Sequence, residues 1–293
     1  MRFLRKLGIV SLWMLIFASA FVVLYLAVIR PWHRTWGTSG VERSRPMPGD
    51  GIVEAPNYGS TRAITIDAPP DRVWPWLVQM GYRRGGLYSY DWIDRALKIL
   101  DRPSATRILP KFQDLKAGME VPIGRGQNWP VSALVPGTSL ILDIRGPGTH
   151  IVWSWLLSAL PDDKTRLLLR IRGQMKIAPA LSPIFVLLDP GEFAMIRKML
   201  TGIRRRVEGR PPSPPGELIE LAGWAAAILI GLAALAGAFL RKRWRQPFAT
   251  AWAAFAVVFF LALRQPALGV GPVLDVLLLA AFIISLRRRH RSG

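Results

Sequence analysis

The feature that most limits how this chain can fold is a set of four long apolar runs, one near its beginning and three near its end. The first run, Leu7–Ile29, contains no charged side chain and follows Arg2, Arg5 and Lys6. A helix rises about 1.5 Å per residue, so about 20 apolar residues can cross the ~30 Å hydrocarbon core of a bilayer. The other three predicted spans are Leu218–Leu240, Phe248–Leu263 and Ala267–Leu286.

The first run can also be interpreted as a secretory signal peptide, because Ala18-Ser19-Ala20 resembles a cleavage site. The apolar run nevertheless continues beyond that site, from Phe21 to Leu26. We therefore predict an uncleaved transmembrane anchor at residues 1–30 and a C-terminal region of three transmembrane helices at residues 217–293.

Basic residues predict the orientation of these spans. The N-terminal basic residues, the loop Arg241–Arg245 and the tail Arg287–Arg291 would share one side of the membrane, whereas the other short loop has only Arg264. Lys and Arg are enriched in cytoplasmic loops, so both termini of this integral membrane protein are predicted to be cytoplasmic, in a bacterial plasma membrane. The segment between the first two spans would then be extracytoplasmic. Arg204–Arg206 disagree with this side, but long translocated segments largely escape the rule.

Composition narrows the possible partners and chemistry. The net charge is +20, yet only 20% of the residues are charged and 51% are hydrophobic, which predicts membrane lipids and not nucleic acid as partners. The absence of cysteine excludes disulfides and thiolate catalysis. The histidines His33, His150 and His290 lack metal-ligand spacing, so we predict no metal and no cofactor. A catalytic His150 would need an orienting carboxylate, and none can be assigned; no catalytic residue is predicted.

The segment between the first two spans divides into three parts. Residues 31–60 are rich in Gly, Pro and Ser and are predicted to form an irregular arm. Residues 61–210 read as an ordered domain, and residues 211–216 as a stiff Pro-rich linker. The domain would begin with a half-buried strand at Thr61–Ala68, followed by a helix from Pro69-Pro70 and a second helix over Tyr90–Leu100.

A series of strands follows. We predict strands at Met119–Ile123, Trp129–Leu134, Ser139–Ile144, His150–Leu157 and Thr165–Lys176, with a turn at Gly124–Asn128 between the first two. This pattern indicates an antiparallel meander with one apolar and one solvated face. Arg166, Arg170 and Arg172 share a face of the last strand, so they are predicted to be solvated or, alternatively, to contact anionic lipid headgroups.

A long amphipathic helix is predicted to close the domain. Asp189 would be its N-cap, with Pro190 at the first helical position and Glu192 at the third. Its apolar stripe consists of Phe193, Ile196, Leu200, Ile203 and Val207. A sheet with one apolar face must be covered, so we predict an α+β fold in which this helix lies across a curved antiparallel sheet, with a pocket between them.

Three segments resemble the START-like helix-grip superfamily, also called SRPBCC: WGTSGVERSRPMPGD, TRAITIDAPPDRVWPWLVQMGYRRGGLYSYDWID and FAMIRKMLTGIRRRVEG. More narrowly, they resemble its bacterial branch with the signature VWPWLVQMG followed by RGG and YSYD. The resemblance covers roughly residues 36–209 and implies a helix-grip fold around a hydrophobic cavity. It also implies binding of a lipid or lipid-like small molecule, or an enzyme of the polyketide cyclase or hydrolase kind. No shared catalytic set can be carried over.

The cavity predicted from this fold has nine candidate lining residues: Trp74, Tyr88, Tyr90, Trp129, Trp153, Trp155, Phe193, Ile196 and Leu200. Gly85 and Gly86 would permit a tight turn before the tyrosines. The tyrosines could simply fill the core, or a hydroxyl could orient the polar end of a ligand. Three functions stay open: a tethered hydrophobic-ligand binder, an enzyme on the same fold, and a membrane sensory module. Asp275, in the fourth span, is predicted to lie in the first helical turn near the membrane interface.

Overall fold

A computed structural model describes residues 2–124, 126 and 128–287 of the chain. The chain divides into two units, residues 30–212 and the combination of residues 1–29 with 213–293. In chain order the elements are α1 (Arg2–Leu24), a π-helix (Tyr25–Ile29), α2 (Arg30–Arg34), α3 (Gly40–Ser44), β1 (Tyr58–Ile66), α4 (Pro70–Val78), α5 (Asp91–Ala96), a 3₁₀ helix (Pro110–Phe112), β2 (Glu120–Pro122), β3 (Asn128–Val135), β4 (Ser139–Gly146), β5 (Thr149–Leu160), β6 (Lys164–Met175), a 3₁₀ helix (Pro179–Leu181), α6 (Ser182–Val207), α7 (Pro214–Leu240), α8 (Arg245–Arg264) and α9 (Val270–Arg287).

The predicted α+β architecture is confirmed for residues 30–212. Six antiparallel strands form one open sheet in the order β1-β6-β5-β4-β3-β2, so the five later strands are a meander and β1 pairs with the last of them. Asp162 and Asp163, between β5 and β6, both have positive φ, which suits a tight hairpin. The predicted turn at Gly124–Asn128 contains Arg125 and Gln127, which lie outside the described residues.

The inner face of the sheet, which packs against α4 and α6, forms the main hydrophobic core. The α6 stripe is buried, and Ile196, Leu200, Ile203 and Val207 join one cluster with inward-facing strand residues such as Leu167 and Leu169. Burying this stripe against the sheet is the arrangement of the helix-grip fold. Side chains alternate between faces along a strand, so the sequence pattern of β6 alone predicts that Leu167 and Leu169 face inward together.

The outer face of the sheet was predicted to be solvated, and this prediction was wrong for the part of the face that the arm covers. Residues 35–57 of the arm lie over it, and the arm contains the capped helix α3 in place of a wholly irregular chain. Met47 packs with Ala63 and Leu168, while Val53 packs with Ile141. The arm therefore gives the sheet a second buried face.

The predicted start of the long helix was also wrong. The helix begins at Ser182 and contains Pro190 in its interior. Its two segments, Pro179–Val186 and Leu188–Val207, meet at 41°. A proline ring clashes with the carbonyl four residues earlier, which accounts for a bend at this position. The second short helix is also shorter than predicted, since α5 ends at Ala96.

The other unit consists of apolar helices. In the part of the chain that the structure describes, three helices are long and apolar enough to cross a membrane: Leu4–Arg34, Pro214–Leu240 and Arg245–Arg264. Val270–Leu286 is a shorter apolar helix. Phe21 of α1 makes edge contacts with Phe255 and Phe259 of α8. The basic tail beyond Arg287 lies outside the described residues.

Asp275 is not in the first turn of its helix, because α9 begins at Val270. The side chain is largely buried, and its Oδ2 would lie 3.4 Å from a Cβ built on Gly223 of α7. A small residue at position 223 therefore lets the carboxyl group pack between the two helices.

Candidate functional site

The interior between α6 and the inner face of the sheet is the candidate site. It is a packed core made almost entirely of hydrocarbon side chains, with leucine and isoleucine from the strands opposite the α6 stripe. Seven of the nine predicted cavity residues belong to this core or pack against it: Trp74, Tyr88, Trp129, Trp153, Trp155, Ile196 and Leu200. The other two, Tyr90 and Phe193, are buried but pack elsewhere, Tyr90 beside Trp92 and Phe193 beside Trp32.

A row of three tryptophans runs inward from β3 to β5. The ring centroids of Trp129 and Trp153 are 4.7 Å apart in an edge arrangement, and those of Trp153 and Trp155 are 6.3 Å apart. Trp129 and Trp153 are half-buried, whereas Trp155 is fully buried. Strand alternation puts Trp153 and Trp155 on one face of β5, which is why the sequence could predict the pair.

The indole Nε1 of Trp155 is the polar group that distinguishes this interior. It is buried and has no hydrogen-bond partner within the described residues. A buried donor without a partner costs about 1–3 kcal/mol, so such a group calls for an explanation. An oxygen atom of a bound molecule would satisfy it, and aliphatic and aromatic surface would surround the rest of that molecule.

Tyr88 does not orient a ligand through its hydroxyl, because that hydroxyl donates to the Trp76 carbonyl at 3.0 Å. Burial raises the pKa of Tyr88. Its backbone has φ of 58°, and a Cβ at Gly202 of α6 would lie 2.0 Å from the Tyr88 carbonyl oxygen. Tyr88 therefore belongs to the packing between the signature loop and α6. The predicted tight turn is present at Gly86, whose φ is 82°.

A buried ionic cluster lies beside Phe193, and sequence reasoning missed it. Arg62 has no exposed surface and makes two 2.7 Å hydrogen bonds to the Glu192 carboxylate. The Arg62 guanidinium also lies 5.3 Å from the Phe193 ring centroid. The imidazole ring of His33 stacks on the Phe193 ring, with the two ring centroids 5.2 Å apart. Burial and the Arg62 charge lower the pKa of His33 to about 4, so this imidazole is neutral near pH 7.

A second buried polar group lies in the signature loop. Asp91 accepts hydrogen bonds from the backbone N–H of Ser104 at 2.7 Å and from its hydroxyl at 2.6 Å. Asp94, three residues later, is fully buried, and neither carboxyl oxygen has a hydrogen-bond partner among the residues that the structure describes. Burial and the neighbouring Asp91 raise the pKa of Asp94 to about 7. Two acids three residues apart on a helix were the sequence signal for this pair.

His150 has the carboxylate partner that the sequence could not supply. Its Nε2 lies 2.8 Å from Oδ1 of Asp143, and Arg145 binds the other oxygen of the same carboxylate at 2.9 Å. All three side chains lie on the outer face of the sheet, because β4 and β5 pair Asp143 with Val152 and Arg145 with His150. In the described residues, no group of three or more His, Asp or Glu is arranged to hold a metal ion.

No protein-family model and no curated protein matches the chain. Solved structures are similar to about half of it. CalU16 from Micromonospora echinospora is similar at 18% sequence identity and a TM-score of 0.32, over 54% of this chain and 78% of that one. MLL2253 from Mesorhizobium loti is similar at 13% sequence identity and a TM-score of 0.32, over 53% of this chain and 100% of that one. The Aha1 dimer from Colwellia psychrerythraea is similar at 15% sequence identity and a TM-score of 0.32, over 52% of this chain and 96% of that one. At these identities the similarity concerns the fold alone.

Proposed function

We propose that the protein is a membrane-tethered binder of a hydrophobic small molecule, which occupies the interior between α6 and the inner face of the sheet. The observation that carries this proposal is the tryptophan row, which leads from the half-buried Trp129 and Trp153 to the buried donor of Trp155. Aromatic surface with a single polar group at its end suits a molecule that is mostly hydrocarbon and has one oxygen function.

An exposed apolar surface on the first part of α6 supports the exchange of such a molecule with a membrane. Ile184, Phe185 and Leu188 are all exposed there. Asp189 follows directly and accepts a 2.7 Å hydrogen bond from Nε of Arg30, the first residue after the apolar run at the start of the chain. In a tethered protein this surface would shorten the aqueous path of a poorly soluble ligand.

Ligand binding can be tested with a matched pair of probes. The full chain in nanodiscs would be loaded with neutral Nile red and titrated with 1-decanol or decane, with empty nanodiscs as the control. If Trp155 donates to the ligand, decanol displaces the dye at lower concentration than decane, and Trp155→Phe removes that difference. Displacement by neither probe would contradict the proposed site.

The tether has its own test. A reporter fused after Gly216 is expected to be extracytoplasmic, and reporters fused after Arg245 and at the C-terminus are expected to be cytoplasmic, because the basic residues cluster on one side. A cytoplasmic reporter at Gly216 would overturn the orientation and leave the ligand site unaffected.

A further inference from the structure

A polar groove lies along the free edge of the sheet, away from the tryptophan row. β1 is an edge strand, and the groove of about 400 Å³ lies along it between α2, the arm and β6. Its size falls within the range of small-molecule sites. The backbone N–H of Ala63 donates to the Trp36 carbonyl, and the N–H of Thr61, two residues earlier, lies on that same outward side of β1.

The groove is strongly cationic. Its described lining residues include four arginines, Arg34, Arg43, Arg170 and Arg172, and one carboxylate, that of Asp50. Arg170 is paired with Asp50, and Arg34 with Asp189. Neither Arg43 nor Arg172 forms an ion pair with any residue that the structure describes. Two guanidinium charges of the groove are therefore available to an anion, and Arg43 is exposed at the rim.

Two buried polar atoms on the outer-face side of this groove have no hydrogen-bond partner among the residues that the structure describes. They are Nε of Arg172 and Oδ1 of Asp50, whose Oδ2 accepts from Arg170 at 2.6 Å. One is a donor and the other an acceptor. Buried polar atoms are normally satisfied, so this pair indicates a polar occupant.

The geometry points to a binding site for a phosphate group that carries a hydroxyl on its neighbouring substituent, as in a glycerol phosphate. The guanidinium groups of Arg43 and Arg172 match the phosphate oxygens, because guanidinium groups make charge-assisted hydrogen bonds to phosphate. Oδ1 of Asp50 would accept the hydroxyl hydrogen, which gives the one carboxylate among the described lining residues a role that does not oppose the anion. The phosphate can belong to a free metabolite or to a lipid headgroup.

The test uses the full chain in detergent with soluble probes. Calorimetry would measure binding of glycerol 3-phosphate and of dihexanoyl phosphatidylglycerol, with dihexanoyl phosphatidylcholine, which lacks the hydroxyl, as the comparison. We expect Arg172→Gln and Arg43→Gln each to weaken binding about 10-fold or more, since each removes a charge-assisted contact. Arg145→Gln, which removes an exposed arginine elsewhere on the outer face, is the matched control.

Each outcome decides something. Binding of glycerol 3-phosphate supports a metabolite source, and binding of phosphatidylglycerol alone supports a lipid source. The inference is overturned if neither probe binds, if Arg43→Gln and Arg172→Gln leave binding unchanged, or if Arg145→Gln weakens it equally, which would indicate diffuse charge attraction. Arg43 is exposed, so its variant keeps the test decisive even if Arg172→Gln does not fold.

Discussion

Both faces of the sheet are covered by other segments, the inner face fully and the outer face in part, and the two covers are held by different physical means. The inner face is covered by α6 through hydrocarbon contacts, in which Leu167 and Leu169 of β6 meet Leu200 and its neighbours. The outer face is covered by the arm largely through arginine hydrogen bonds. Arg170 makes five of them, to Thr61 Oγ1, Asp50 Oδ2 and the carbonyls of Glu42, Arg43 and Arg45.

The difference shows that alternation along a strand identifies which residues share a face, but not what covers that face. Arg166 and Arg170 alternate with leucines, as exposed residues would. Arg170 is only 6% exposed, because main-chain carbonyls of the arm replace water around its guanidinium. Arg166 binds Glu42 at 2.7 Å, and this bond lowers the pKa of Glu42 to about 2. A buried charge of this kind is stable only when it is fully hydrogen-bonded.

The largest expected effect is on the hydrocarbon face. Leu200 has no exposed surface and lies in the main cluster. Leu200→Ala should lower the free energy of unfolding by about 2–5 kcal/mol if the site is tightly packed. Denaturant titration followed by tryptophan fluorescence would measure the change, with the exposed Leu97→Ala as the control. A smaller loss together with altered ligand uptake would mean that Leu200 lines open space.

The arginine face should respond more locally. Arg170→Met removes the groups that bind three arm carbonyls and leaves Asp50 without its ion-pair partner. Removing one partner of a largely buried pair costs about 3 kcal/mol. Hydrogen exchange should increase at residues 40–50 far more than in α6. Equal protection of the arm in variant and parent would show that its apolar contacts alone hold it on the sheet.

A pH-dependent effect is expected from Asp94. Its pKa is raised from 3.8 to about 7, so the folded state binds this proton more strongly than the unfolded state does. The resulting stabilisation is complete below pH 3.8 and is lost as the pH rises through 7. Asp94→Asn cannot ionise, so its stability should be close to that of the parent at pH 4 and should exceed it by about 4 kcal/mol at pH 8, since each pH unit of the shift is equivalent to about 1.4 kcal/mol.

Thermal unfolding across this pH range would measure the difference, with the exposed Asp114→Asn as the control. A constant difference between Asp94→Asn and the parent from pH 4 to pH 8 would mean that the Asp94 carboxyl group stays in one protonation state.

Local patterns predicted much of the fold. Strand alternation and the spacing of apolar residues placed the strands of the meander and the buried stripe of α6, because both depend on neighbours in the sequence. The prediction of where α6 begins was wrong because Asp189 does not cap the helix. Its carboxylate accepts hydrogen bonds from Arg30 and Arg34 instead. Such a pairing joins residues far apart in the chain, and a capping rule cannot anticipate it.

The candidate sites were less predictable for the same reason. The tryptophan row follows from alternation on β5, whereas the bidentate bond of Arg62 to Glu192 and the burial of Asp94 depend on packing between distant segments. The groove at β1 needs the arm, α2 and β6 together. No single stretch of sequence contains those contacts.

The most direct test of the central proposal, that the hydrocarbon interior holds a hydrophobic ligand, is native mass spectrometry of the full chain released from detergent. The proposal predicts a retained adduct of one small hydrophobic molecule, absent from Trp153→Glu, which adds a charge at the half-buried middle of the tryptophan row, and still present in Arg172→Gln. A bare protein mass for the parent chain, or the same adduct on folded Trp153→Glu, would contradict it.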